Sequence, residues 1–236
     1  MTADEWTRVV RHRLRLGRLL PLGGRRDGAW ISEEAAGAAL RRATGELRGV
    51  RLDALRIALA DPRDTDEPVV PPPPSALPPG PLRVTVDFAA SAAEPLPATA
   101  ARLRTTLADA ATELIGLTVT EVDLQVTSLL DEEPQPVPVA SPEPPPGGEP
   151  AAGEETRVAS AALSVPGVAR LTAGLGRAVH IEERQREGTL PGRHARVEIA
   201  VRADHRAVEV AREVRAVVAE ALADHPTVAV LVTAIV

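Results

Sequence analysis

Five side chains in the second half of the chain have the chemistry to hold a metal or move a proton: His180, Glu182, Glu183, His194 and His205. A protein metal site brings three or four such ligands to one point, and compact sites do it through fixed local spacing. Here only His180 and Glu182 are fixed together, two apart on one face of a strand. No third ligand follows at a set interval, so the pattern reads as a solvated strand face and no metal ligand is assigned. Gly174-Leu175-Gly176 opens like a dinucleotide loop, but Val179 stands where a third Gly is needed and the next residues read as strand. Pyrophosphate binding requires a helix N-terminus at that point. The glycines are read as a hairpin turn, and no cofactor is assigned. There is no P-loop lysine, no GxSxG elbow and no Cys for a thiolate. No catalytic residue is assigned, and the expectation is a protein that is not an enzyme.

Nucleic-acid platforms are missing as well. The chain has one Phe, no Tyr, and Trp only at Trp6 and Trp30, too few rings to stack bases. No two Gly stand three apart, which removes the backbone-clamping GxxG loop. Every one of the 27 basic residues is Arg, and Lys and Asn are absent. Together with abundant Ala, Pro and Val, this reads as codon drift in a GC-rich bacterial genome. The net charge of −6 comes from one stretch: Asp131 to Glu155 carries seven acids and no base. The remainder is nearly neutral. No apolar run approaches the roughly 18 residues of a membrane span, and arginines interrupt the apolar residues of Met1 to Leu20. The expected location is the cytoplasm, or the periphery of the inner face of the membrane.

The elements occur twice. Val197, Ile199 and Val201 alternate with Arg196, Glu198 and Arg202, a strand with one buried face. Ala207, Ala211, Val214, Val218 and Leu222 then recur at helical spacing, and Val228 to Val236 is a further strand. The same order appears as Val84, Val86 and Phe88, then Leu96, Ala100, Leu103, Leu107 and Ala111, then Val122, Leu124 and Val126. VDLQVTSLL from Val122 reads against VAVLVTAIV from Val228. A helix joining two strands makes them parallel with a right-handed crossover. Ser32 to Leu47 opens the first copy, with Ser32 as N-cap and Glu33 and Glu34 in the first turn. Thr156 to Ser164 opens the second. The expected fold is α/β (α+β): tandem duplicated small domains, each helix, two or three strands, helix, strand, with the helices on one sheet face.

Four segments follow. Residues 1–28 form a basic amphipathic arm, in which Trp6 lies on the apolar face and Arg8, Arg11, Arg15 and Arg18 on the other. It is either a surface helix for anionic lipid or a partner, or a cap on the first domain. Residues 29–130 form the first repeat, with a Pro-rich insert at 61–81 expected to be a polyproline II spacer outside any sheet. Residues 131–153 form an acidic, Pro-rich linker expected to be extended and disordered. Residues 154–236 form the second domain.

The second half has a recognisable pattern. Val158-Ala159-Ser160-Ala161-Ala162-Leu163, Pro166-Gly167-Val168-Ala169-Arg170-Leu171, Gly176-Arg177-Ala178-Val179, Val197-Glu198-Ile199-Ala200-Val201 and Val210-Ala211-Arg212-Glu213-Val214-Arg215, with the Val-rich terminal strand, resemble the alkaline shock protein family. These are also called general or envelope stress response proteins. The first half resembles a degenerate copy. The resemblance implies a bacterial stress-response protein without catalytic residues. It also implies partners: the chain itself or paralogous family members, and a membrane-embedded protein. The functional expectation is self-association and protein contacts near the membrane. Two other classes stay open: a nucleic-acid- or ribosome-associated accessory protein using the Arg-rich arm, and a small-molecule-binding domain pair.

The final strand names the candidate interface. Val228, Val230 and Val232 point one way, and the opposite face carries Ala229, Leu231 and Ile235. Apolar residues on both faces imply that both are covered, the second by the first domain or by another chain.

Overall fold

The computed structural model describes residues 16–134, 138–148, 153–184 and 192–236. A short hairpin, β1 (Leu19–Pro21) and β2 (Ala29–Ser32), comes first. The first repeat then runs α1 (Glu33–Thr44), β3 (Val50–Leu59), β4 (Leu82–Ser91), α2 (Leu96–Asp109) and β5 (Val119–Leu130). The second runs α3 (Glu154–Leu163), β6 (Val168–Leu171), β7 (Val179–Arg184), β8 (Gly192–Val201), α4 (Ala207–Ala221) and β9 (Thr227–Ile235). Each repeat is thus helix, two or three strands, helix, strand, a mixed α+β architecture in two sheets.

Local signals explain the element ends. The Ser32 hydroxyl accepts from the Ala35 N–H at 3.2 Å, with Glu33 and Glu34 in the electropositive first turn of α1. The α2 helix widens into a π-helical turn, Ala110–Ile115, and stops at Gly116, φ +92°. A Cβ on Gly116 would stand 2.2 Å from Val208 Cγ1, so both conformation and packing exclude any other residue. Across each helical connection the strands are parallel, β4 with β5 and β8 with β9, as the crossover requires.

The two repeats agree below the level of element order. In the first, Phe88 pairs with Val126, Thr127 is skipped, and Ala89 pairs with Ser128. In the second, Ile199 pairs with Val232, Thr233 is skipped, and Ala200 pairs with Ala234. Both bulges therefore place a threonine at the extra position. Thr127 Oγ1 donates to Phe88 O at 3.1 Å, and Thr233 Oγ1 to Ile199 O at 3.3 Å. Each hydroxyl also meets a residue from the neighbouring edge: Asp53 Oδ2 at 2.7 Å from Thr127, Thr172 Oγ1 at 2.7 Å from Thr233. Just before β3 and β6, Gly49 and Gly167 sit at φ +72° and +92°, and their carbonyls accept from the N–H of Ser91 and Arg202, both at 2.8 Å. Where β3 bulges between Leu52 and Leu55, the second repeat has a whole loop. There β6 and β7 pair end to end along β8, separated by residues 172–178.

The sheets are ordered β3-β4-β5 and β1-β2-β9-β8-β6, with β7 also on β8. Helix α1 packs against both β3 and β9, and α4 against β9, β2 and α3. One hydrophobic core is continuous from Ile57, Val84, Val86 and Phe88 to Val197, Ile199, Val230 and Val232. The assigned segments are redistributed by this arrangement. Strand β1 lies in the stretch assigned to the arm and β2 in the first repeat, yet both complete the sheet of the second.

The Pro-rich insert is a strap rather than a spacer. Val70 is buried, Leu77 N–H donates to Leu19 O at 2.8 Å, and the Trp30 indole donates to Leu77 O at 3.3 Å. Proline blocks a continuous ladder but not a single bridge, here Ala76 with Leu19 of β1, nor the packing of the residues between prolines. The linker is anchored where it is described. Ala173 N–H donates to Pro145 O at 2.9 Å and Gly147 N–H to Leu171 O at 3.1 Å.

The paired threonines differ in burial, since Thr233 is wholly inaccessible and Thr127 exposed. Thr233→Val would leave the Thr172 hydroxyl without its side-chain partner in a dry site, costing roughly 1–3 kcal/mol. Thr127→Val should cost less than about 1 kcal/mol, because water replaces the hydroxyl. Urea unfolding of the two variants should show that order; equal losses would contradict it.

Candidate interaction surfaces

The outer face of the larger sheet carries the predicted interface residues Ala229 and Leu231, and the chain covers them itself. They form a second cluster with Leu19, Trp30 and Val70, with Ala76 packed alongside. Ile235 does not belong to that face. The extra residue Thr233 reverses the alternation, and Ile235 packs in the main core with Val232. Its carbonyl accepts from Arg42 Nη2 at 2.8 Å.

Of the arm candidates, Trp6, Arg8, Arg11 and Arg15 lie outside the described residues. Arg18 is described and occupied: it pairs with Glu33 at 3.3 Å and donates to Ile57 O at 2.8 Å. His180 Nε2 stands 3.4 Å from Glu182 Oε2, and Glu182 is in register with His194. His194 is buried, with Nδ1 2.9 Å from Thr227 Oγ1, and His205 bonds Asp204 at 2.8 Å in another part of the molecule. Among the described residues, no three acidic or His side chains gather to hold a metal ion.

The Gly174-Leu175-Gly176 stretch is a turn, closed by Gly176 N–H to Ala173 O at 3.0 Å. Its Leu175 N–H donates to the Glu198 carboxylate at 3.0 Å. Glu198, expected on a wet strand face, is fully buried there, 3.7 Å from Arg196 Nε. Periodicity identified the polar face of β8 but not the loop that closes over it.

What sequence reasoning missed is the edge of β5. In the larger sheet the outer edge of β9 takes β2 in parallel, with Val230 opposite Ala29 and Val232 opposite Ile31, and Val230 N–H donates to Gly28 O at 2.9 Å. The matched positions in β5 are Leu124 and Val126. Strand β5 is outermost in its sheet, and among the described residues no strand pairs with its far side. Val122 O points to that side, where Arg104 Nε reaches it at 3.3 Å. Val126 and Leu129 are 39% and 58% exposed. Glu121 and Asp123, the acids on the outer face, are both paired with Arg83, at 2.5 and 3.4 Å. A signal existed: in a chain with 23 Pro, this strand of twelve residues contains none, although Pro is a usual guard of an edge.

The β9 edge stays closed because its hairpin is tied down. Asp27, in the β1–β2 turn, accepts from Arg212 of α4 at 2.9 and 3.1 Å and from Gly24 N–H at 2.6 Å. Arg215 Nη1 donates to Arg26 O at 2.5 Å. These helix arginines hold the hairpin on the sheet.

No family model and no curated protein matches the chain. Its fold therefore supplies its class, a mixed α+β chain of two sheets. Among the described residues no helix is long and apolar enough to cross a membrane.

Burial works to raise the Asp27 pKa, but the hydrogen bonds from Arg212 and Gly24 outweigh it and hold the carboxyl below its ordinary 3.8. A folded-state pKa below the unfolded one stabilises the fold above the unfolded value. That contribution disappears as pH falls through the folded value. Asp27→Asn should therefore lower stability at neutral pH and flatten its decline below about pH 4. Chemical unfolding at stepped pH checks this, and an acid limb identical to that of the unaltered chain would contradict it.

Proposed function

We propose that the chain is a non-enzymatic bacterial protein of the alkaline-shock, envelope-stress type. It acts in the cytoplasm, by association with itself and with other proteins beside the membrane. The observation that carries this reading is the edge of β5, which no strand pairs among the described residues, with Val126 and Leu129 exposed beside it. An edge that continues a sheet offers main-chain donors and acceptors to another strand, and protein partners supply such strands. The residue pattern of 156–236 supports the family, and the matched bulges support a duplication of its unit. Sedimentation velocity of the full chain, from dilute to concentrated solution, should show mass rising with concentration. A monomer at every concentration would remove self-association from this reading.

A further inference from the structure

We propose that β5 pairs with β5 of a second copy, antiparallel about a twofold axis at Leu124, joining two three-stranded sheets into one of six strands. The inference rests on the reading of the chain as a self-associating protein and specifies the surface and the register. The comparison between repeats points to a strand as the missing neighbour, since the equivalent edge of β9 is filled by β2. Pairing with the other edge strand, β3 of another copy, would leave a further edge open and continue head to tail, whereas a twofold pair of β5 with β5 closes.

Charge and backbone direction select the register. Main-chain groups of Val122, Leu124 and Val126 face outward, by the match of Leu124 to Val230 and by the Arg104 contact to Val122 O. A self-pairing strand must centre on an outward-facing residue so that N–H and C=O are exchanged. Centring on Val122 sets Glu121 against Asp123 of the second copy, a like-charge pair facing directly across the strands. Centring on Val126 lays the Thr127 bulge beside the axis. Centring on Leu124 exchanges its own N–H and C=O, joins Val122 to Val126, and sets Asp123 against Gln125. The carboxylate can there accept from the amide, and Glu121 falls opposite Thr127. Arg104 must release Val122 O, and the exposed Val126 is covered. The acids stay balanced by Arg83.

The absence of cysteine makes the test clean. In this register a residue at 123 faces one at 125, closely enough for a disulfide. The full chain carrying Asp123→Cys and the full chain carrying Gln125→Cys should cross-link to each other when mixed under mild oxidation. Each alone should cross-link far less. Val126→Pro removes an outward N–H without touching the pairing of β4 with β5 and should weaken association about tenfold, one hydrogen bond being lost on each side of the axis. If the unaltered chain associates while Val126→Pro associates equally and the mixed cysteine chains do not cross-link, this inference fails and the broader reading stands. A chain that is monomeric throughout overturns both. Sedimentation of the unaltered chain that shows mass growing without limit beyond the dimer overturns the closed pair. Should Val126→Pro lose its circular dichroism, the cysteine chains, with backbone unaltered, decide alone.

Discussion

The fold depends on enclosing β9 on every side. Its residues from Val228 to Ile235 are all buried, and an apolar strand of that kind has to lie inside the protein. Helices α1 and α4 cover one face, Trp30, Leu19 and Val70 cover the other, and β8 and β2 take the two edges. Full burial of a side chain such as Leu231 is worth roughly 1.5–3 kcal/mol. That gain explains why distant segments are drawn together here. Part of the cover comes from a segment rich in proline, whose chain has little conformational freedom to lose on docking. Residues that could not have joined a ladder are thus well suited to lie across one.

Burying both faces has a polar consequence. Strand β8 keeps Glu198 on its outward side, and once that side is covered the carboxylate needs partners. The loop at 172–178 meets this need. It supplies the Leu175 N–H to Glu198 and the Thr172 hydroxyl to Thr233. In the first repeat the corresponding strand is wet, and a two-residue bulge at Asp53 and Ala54 suffices in place of the loop. The difference between bulge and loop follows from which face is exposed to water.

Features written in local periodicity were legible in the sequence: the duplicated order of elements, the Ser32 cap, the parallel crossovers and the wet face of β4 and β5. Each depends on residues within a turn of helix or a few positions of strand. Placements set by a single extra residue were not legible. Thr233 turns Ile235 from the outer face to the core, and nothing in an alternating run of Val, Leu and Ile announces that shift. The docking of Val70 depends on a cluster that includes Leu231, more than a hundred residues away in the chain, and the anchoring of Pro145 on Ala173, about thirty residues away. Composition marked those segments as unable to join a sheet, yet each makes a single bridge, Ala76 with Leu19 and Pro146 with Thr172. It could not say what they lie against.

The two terminal strands show how one ancestral pattern supports two outcomes. Their inward residues are interchangeable, Val122, Leu124 and Val126 against Val228, Val230 and Val232. Their outward residues are not: Asp123 and Gln125 stand where β9 has Ala229 and Leu231. Apolar outward residues favour cover from within the chain, and in β9 that cover brings β2 to the open edge. Polar outward residues keep β5 against water on that face, and among the described residues its edge has no internal strand. Charge then guards the edge in place of cover, since paired acids and Arg104 discourage indiscriminate contact with other strands. The difference on the outward face thus accompanies an edge filled by β2 in β9 and, among the described residues, an edge without a paired strand in β5.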